Sequence, residues 1–169
     1  MKTNIACVCF VEDFNKAISK MISDHLDLYY ADVNDYLEFN MVNASEVISK
    51  CGVDYLEKLE NDCVSSVASF ENALISIEPR LYIKRKNAQA LAKSSVVVYI
   101  KLDKKIFENY IAKLKKNKKE ELQALSIVFE DYDKLCVNNC DIVVEVKSLN
   151  EKSAFKQVLK HIKMYYSHG

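Results

Sequence analysis

Glycine and arginine are the scarce residues of this chain. Only Gly52 and Gly169 occur among 169 residues, where average usage would give roughly 12. Glycine lets a backbone approach a phosphate closely, so composition alone excludes a glycine-rich phosphate-cradling loop. Arginine is confined to Arg80 and Arg85, and the other 22 of the 24 basic residues are lysine. A bidentate guanidinium clamp on phosphate or carboxylate therefore has few positions to come from. Pro79 is the one proline, and no Gly/Ser-rich linker divides the sequence, so one domain spanning residues 1–169 is expected. No apolar run is long enough to cross a membrane. The opening run ends at Glu12-Asp13 and has the form of neither a signal peptide nor a transmembrane helix, which leads to the expectation of a cytoplasmic protein with no membrane contact. The 6 cysteines include no CxxC pair, so reduced thiols are expected and no metal site. Neither sign of charge is in excess, with 24 basic against 24 acidic side chains. That balance argues against a nucleic-acid partner.

What is present is a strand–helix alternation. Strands are expected at Asn4–Val11, Asp27–Tyr30, Ala73–Ile77, Ser95–Lys101 and Asp141–Val146. The last two are continuous β-branched runs, the pattern of strands buried on both faces of a parallel sheet. Between them lie helical stripes at spacings of three and four. The first is Phe14, Ala17, Ile18, Met21 and Ile22. The second is Leu56, Leu59, Cys63, Val67 and Phe70, and the third is Phe155, Val158, Leu159, Ile162 and Tyr165, with Asn150 as N-cap. Alternation of this kind predicts a parallel sheet flanked by helices, an α/β/α sandwich of three layers.

The framework resembles shikimate kinase over nearly the whole length. Asn4–Val11 is similar to that family's first strand, and Tyr30-Ala31-Asp32-Val33-Asn34-Asp35-Tyr36-Leu37-Glu38 to its second strand and acidic motif. Ala44–Ile48 and Gly52–Glu60 are similar to its next two helices, Ser95–Lys101 to its fourth strand, and Cys140–Val144 to its last. The resemblance implies a P-loop NTPase fold with a five-stranded parallel sheet in the order 2-3-1-4-5. It also implies ATP-dependent phosphoryl transfer to shikimate, within aromatic amino acid biosynthesis, if the catalytic residues were kept.

They are not matched. The family pattern Gly-x4-Gly-Lys-Ser/Thr cradles phosphates on backbone amides, neutralises them with the lysine and holds Mg2+ through the hydroxyl. Aligned without gaps, Cys9 and Phe14 stand at the two glycines, Asn15 at the lysine and Lys16 at the hydroxyl residue. Glu12 and Asp13 fall inside the loop. A carboxylate about 4 Å from a phosphate costs roughly 4 kcal/mol at an effective dielectric near 20, about a thousandfold in affinity. Asp13 is better read as the cap of the first helix, with both acids at its positive end. Asn34 stands at the second aspartate of the acidic motif, Glu57 at a substrate-binding arginine, Glu78-Pro79-Arg80 at a glycine triplet and Tyr132 at a late arginine. The lid region, Lys113–Lys119, is basic but lacks arginine.

The resulting expectation is a catalytically inactive shikimate-kinase-like protein, a pseudoenzyme with a degenerate Walker A sequence and a binding, regulatory or scaffolding role. Its expected partner is another protein or a second copy of the chain. No catalytic residue, cofactor or metal ligand is assigned. The alternative is a divergent small-molecule kinase with a rebuilt site, in which Lys16 and Asp32 serve the nucleotide and its metal.

The other motifs have bland readings. Cys7 and Cys9 alternate on one strand, and Cys136 and Cys140 flank the last; their spacing is that of buried small hydrophobes. Cys51 and Cys63 are read as helix packing. His25 suits the negative end of the first helix, His161 flanks the last stripe, and His168 lies in the tail. The run Lys113–Glu121 is read as a helix end and an exposed connection, and most of the ten tyrosines as core or boundary residues.

Overall fold

A computed structural model describes residues 2–40 and 43–167 and, for Lys116 and Asn117, the backbone alone; His168 and Gly169 lie outside the described residues. Five strands, β1 (Asn4–Val8), β2 (Tyr29–Asp32), β3 (Ala73–Ile77), β4 (Ser95–Leu102) and β5 (Ile142–Val146), form one sheet in the order β2-β3-β1-β4-β5. Every pairing is parallel. The central strand β1 sets Ile5 beside Leu74 on one side and Val96 on the other. All five residues of β1 and of β3 are buried, the pattern of a sheet covered on both faces. Helices α1 (Glu12–Leu26) and α10 (Glu151–Ser167) pack together, α1 against β3 and α10 against β5. Elsewhere α4 (Val53–Ala68) packs on α6 (Arg85–Ser94), which lies on β4 with α9 (Phe129–Asn139). The expected three-layer P-loop-type sandwich and its strand order are both present. No helix among the described residues is long and apolar enough to cross a membrane.

The element boundaries correct the sequence reading in specific places. β1 stops at Val8 rather than Val11, because ladder pairing with Ile77 and Tyr99 ends there. β2 starts at Tyr29 rather than Asp27. Asp27 instead takes left-handed backbone geometry (φ 54°), and its amide donates to the Ser23 carbonyl to close α1, as a short polar residue can at a helix end. Gly52 (φ 86°) lets the chain turn sharply between α3 (Ala44–Cys51) and α4. α3 buries no residue, so Cys51 is exposed rather than packed.

The helical stripes were also incompletely read. On α1 the buried face adds Asn15, Ser19 and Ser23 to Phe14, Ile18 and Ile22. On α4 the buried set is Glu60, Val64, Val67 and Ala68, so only Val67 of the expected stripe is fully buried and a carboxylate is buried beside it. On α10 Ala154 joins Val158, Leu159 and Ile162, while Tyr165 is exposed. Asn150 does cap α10: its Oδ1 accepts from the Ser153 amide at 2.9 Å. Asn150→Ala is expected to cost about 1 kcal/mol, measurable as a lower denaturation midpoint with an unchanged slope.

Candidate functional site

In open α/β sheets ligands bind beyond the carboxyl ends of the strands, where the chain reverses its direction of travel across the sheet. Here that point lies at β1, between β3 and β4. A cavity of about 950 Å³ opens there, lined on the α1 side by Phe10, Glu12, Asp13 and Lys16. Glu78 and Arg80 close it after β3, and α2 (Val33–Asn40) contributes Asn34 and Leu37. Tyr110 reaches it from α7 (Lys104–Ala112), and Lys118, Glu121 and Leu122 from α8 (Lys116–Ile127).

The connection into α1 is three residues long, Cys9–Val11, and all three are buried. Helix begins at Glu12, with Val11 at the N-cap position and no side-chain cap. The expectation that Asp13 caps α1 is therefore corrected: Asp13 and Glu12 lie inside the first turn. The expected favourable placement of both acids at the positive end of α1 holds. The Asn15 amide already donates to the Val11 carbonyl at 2.9 Å, so that amide points along the helix rather than into an anion nest. Phe10 turns inward, its ring centroid 4.2 Å from Phe129 and 5.4 Å from Phe107.

Asn15 is buried and aimed into the fold. Its Nδ2 donates to the carbonyls of Cys7 at 3.0 Å and Ile77 at 3.3 Å. Its Oδ1 accepts from the Ser19 hydroxyl at 3.2 Å. One amide thus joins the carboxyl ends of β1 and β3, which face the cavity.

Lys16 and Asp32, the two residues named for a rebuilt site, are brought together, with Lys16 Nζ 3.4 Å from Asp32 Oδ1. The same ammonium lies 2.7 Å from Asp35 and 3.0 Å from Glu12. Asp32 is only 5% exposed; it also accepts from the Ser76 hydroxyl, and from the Asp35 amide at 3.0 Å. Burial pushes the Asp32 carboxyl up, against the lowering effect of these donors and of Lys16. At Lys16 burial acts downward but is outweighed by Asp35, Glu12 and Asp32, which hold the ammonium above the usual lysine range.

The other cations lining the cavity are also engaged. Arg80 contacts Glu60 at 2.9 Å and Glu78 at 3.0 Å, and Lys118 lies 3.8 Å from Asp13. Behind the cavity, Glu60 holds Lys84 as well, at 2.8 Å. Burial would raise Glu60, but hydrogen bonds from Arg80 and Lys84 take it below the usual glutamate range. Glu78 is pushed up by burial, partly offset by Arg80. Pro79 is buried, but Arg80 remains 44% exposed at its side chain. The segment at the expected glycine triplet therefore narrows the cavity without filling it.

The remaining candidates stand apart from it. Cys7, Cys9 and Cys136 are fully buried free thiols. Burial raises Cys7 and Cys9 to about 12, so neither is a ready nucleophile. No group of three or more His, Cys, Asp or Glu among the described residues is arranged for a metal. His25 ends α1 as expected, with Nε2 3.3 Å from Lys163 Nζ. His161 Nδ1 lies 2.8 Å from the Gln157 carbonyl. Glu57 is half-exposed, 3.7 Å from Lys84, and Tyr132 is a partly buried packing residue. Of the basic run, 113–115 form the connection and the rest opens α8.

The sequence reading missed Asp35, Glu60, the inward Asn15 and the Phe10–Phe107–Phe129 cluster. Only the Glu12–Lys16 pair carried a readable signal, the i,i+4 spacing of opposite charges.

Residues 16–163 match the sequence model of the shikimate kinase family. The shikimate kinase of Dictyoglomus turgidum is 22% identical over 127 residues, covering 74% of this chain and 72% of that protein. Among solved structures, shikimate kinase from Acinetobacter baumannii in complex with shikimate superposes with a TM-score of 0.80 at 15% identity, covering 99% of this chain and 95% of that one. Shikimate kinase from Bacteroides thetaiotaomicron gives 0.77 at 16% identity, with 98% of both chains covered.

Proposed function

Because the chain belongs to the shikimate kinase family yet presents carboxylates and a buried ring where that chemistry uses bare amides and a lysine, we propose that it is a non-catalytic relative that has kept the scaffold for binding. Its role is regulatory or scaffolding, toward a protein partner or a second copy of itself. It acts in the cytoplasm, without nucleic acid or membrane, beside the enzymes of aromatic biosynthesis that its family serves.

The observation that carries this reading is the path of residues 9–16. Helix starts at Glu12, so the first-turn acids line the cavity in front of the strand ends. Among the described residues, each cation lining the cavity is paired with a carboxylate. A triphosphate would have to displace those partners and sit against Glu12 and Asp13, with no phosphate-loop lysine in exchange.

The test is a coupled assay of phosphoryl transfer from Mg-ATP to shikimate, run beside melting curves. The expected outcome is no turnover above background and no shift in melting temperature at millimolar Mg-ATP. A nucleotide at 100 times its dissociation constant would add about 2.7 kcal/mol of stability, so binding would be plain. Turnover at the rate of an ordinary small-molecule kinase would instead establish the second reading, a divergent kinase using Lys16 and Asp32. The observation favouring that alternative is the open cavity of about 950 Å³ with Lys16 on its wall.

A further inference from the structure

Phosphoryl transfer on this fold uses Mg2+, held in part by the hydroxyl residue of the phosphate loop. Lys16 stands at that place. The nearest carboxylate oxygens lie 2.7, 3.0 and 3.4 Å from its Nζ. Mg2+ demands ligands at about 2.0–2.1 Å and Ca2+ at about 2.3–2.6 Å. The spacing is that of an ammonium and its hydrogen bonds, and the ammonium itself repels a second cation. The residues present do not fit the metal.

We propose that Lys16 fills, from within the chain, a cation position that Glu12, Asp32 and Asp35 would otherwise offer to a divalent metal. Three carboxylates converge on one point from three elements, Glu12 from α1, Asp32 from β2 and Asp35 from α2. Asp32 is 5% exposed and fixed by Ser76 and by the Asp35 amide, so it cannot turn away to water. Glu12 and Asp35 are accessible enough to move inward, with side chains 35% and 59% exposed. Lysine therefore supplies the counter-charge that holds α1 to the end of β2, and it excludes a metal from the same place. With the ammonium removed, the three carboxyl groups offer oxygen donors only, the donor type that suits Mg2+, Mn2+ or Ca2+. The inference goes beyond the absence of turnover and is read from metal uptake and stability rather than from phosphoryl transfer, so its failure and that of the proposed function are distinguishable.

The experiment compares the wild-type chain with Lys16→Ala and Lys16→Gln, following free Mn2+ by electron paramagnetic resonance and stability by melting temperature. The wild-type chain is expected to leave millimolar Mn2+ free. Both variants are expected to melt lower without metal, to bind Mn2+ at least about tenfold more tightly than wild type, and to regain melting temperature with it. Adding Asp32→Asn to Lys16→Ala should abolish that uptake. Equal binding by wild type and variants would overturn the proposal, as would no binding by a folded variant. Failure of both variants to fold with Mn2+ present would also count against it, since the metal would then be no substitute for the ammonium.

Discussion

Phe10→Ala is expected to lower the unfolding free energy by about 3–5 kcal/mol, the cost of deleting a buried aromatic ring and leaving a cavity. For a chain of this size that is a fall of roughly 6–20 °C in melting temperature. Phe10 is 3% exposed, and its ring contacts Phe107 and Phe129, whose own centroids are 5.4 Å apart. The cluster ties the β1–α1 connection to α7 and α9, so its loss would loosen three elements together. Urea denaturation with an unchanged slope is the measurement. A loss below about 1.5 kcal/mol, the scale of a volume-conserving swap, would mean that the ring is not a core element.

The second large effect is expected at Glu60. Its side chain is 6% exposed and accepts from both Arg80 and Lys84. Truncating one partner of a fully buried charge network costs 3–5 kcal/mol. Arg80 and Lys84 retain 44% and 24% of their side-chain exposure and recover hydration when released, so Glu60→Gln is expected to cost about 2 kcal/mol. The loss has a pH signature. The folded protein holds Glu60 below the usual glutamate value, so its stabilisation is complete above the unfolded value of about 4.3. It fades as pH falls from there through the lower folded value. The stability difference between wild type and variant should therefore be flat from neutral pH to about pH 5 and shrink in more acid solution. A difference that grew on acidification would contradict the assignment.

Glu60 also shows where sequence reasoning stopped. The layers were legible because buried β-branched runs and intervening stripes leave few topologies open, whereas the strand order was implied by the family resemblance. Lys16 and Asp32 were nameable because the family resemblance sets them at the phosphate-loop hydroxyl and in the acidic motif. The partners that make those residues unavailable were not. Asp35 approaches Lys16 through the start of α2, and Arg80 reaches Glu60 across 20 residues of chain. Spacing rules speak only to neighbours on one element, so Glu12–Lys16 was within their reach and the rest was not. The polar face of α1 was missed for a related reason. Asn15, Ser19 and Ser23 recur every four residues, but a stripe defined by apolarity passes over side chains that are buried because they are hydrogen-bonded.

The inward amide of Asn15 has a consequence for any attempt to build the family's phosphate-loop motif into this chain. It satisfies two carbonyls at the heads of adjacent strands, and an unpaired buried acceptor costs about 1–3 kcal/mol. Writing lysine at that position would strand both acceptors, while glycines upstream would have to unwind a turn that now nucleates α1. Writing in the family motif one residue at a time thus runs uphill in stability before the whole loop is in place, a ratchet set in the architecture of the turn rather than in the number of letters changed.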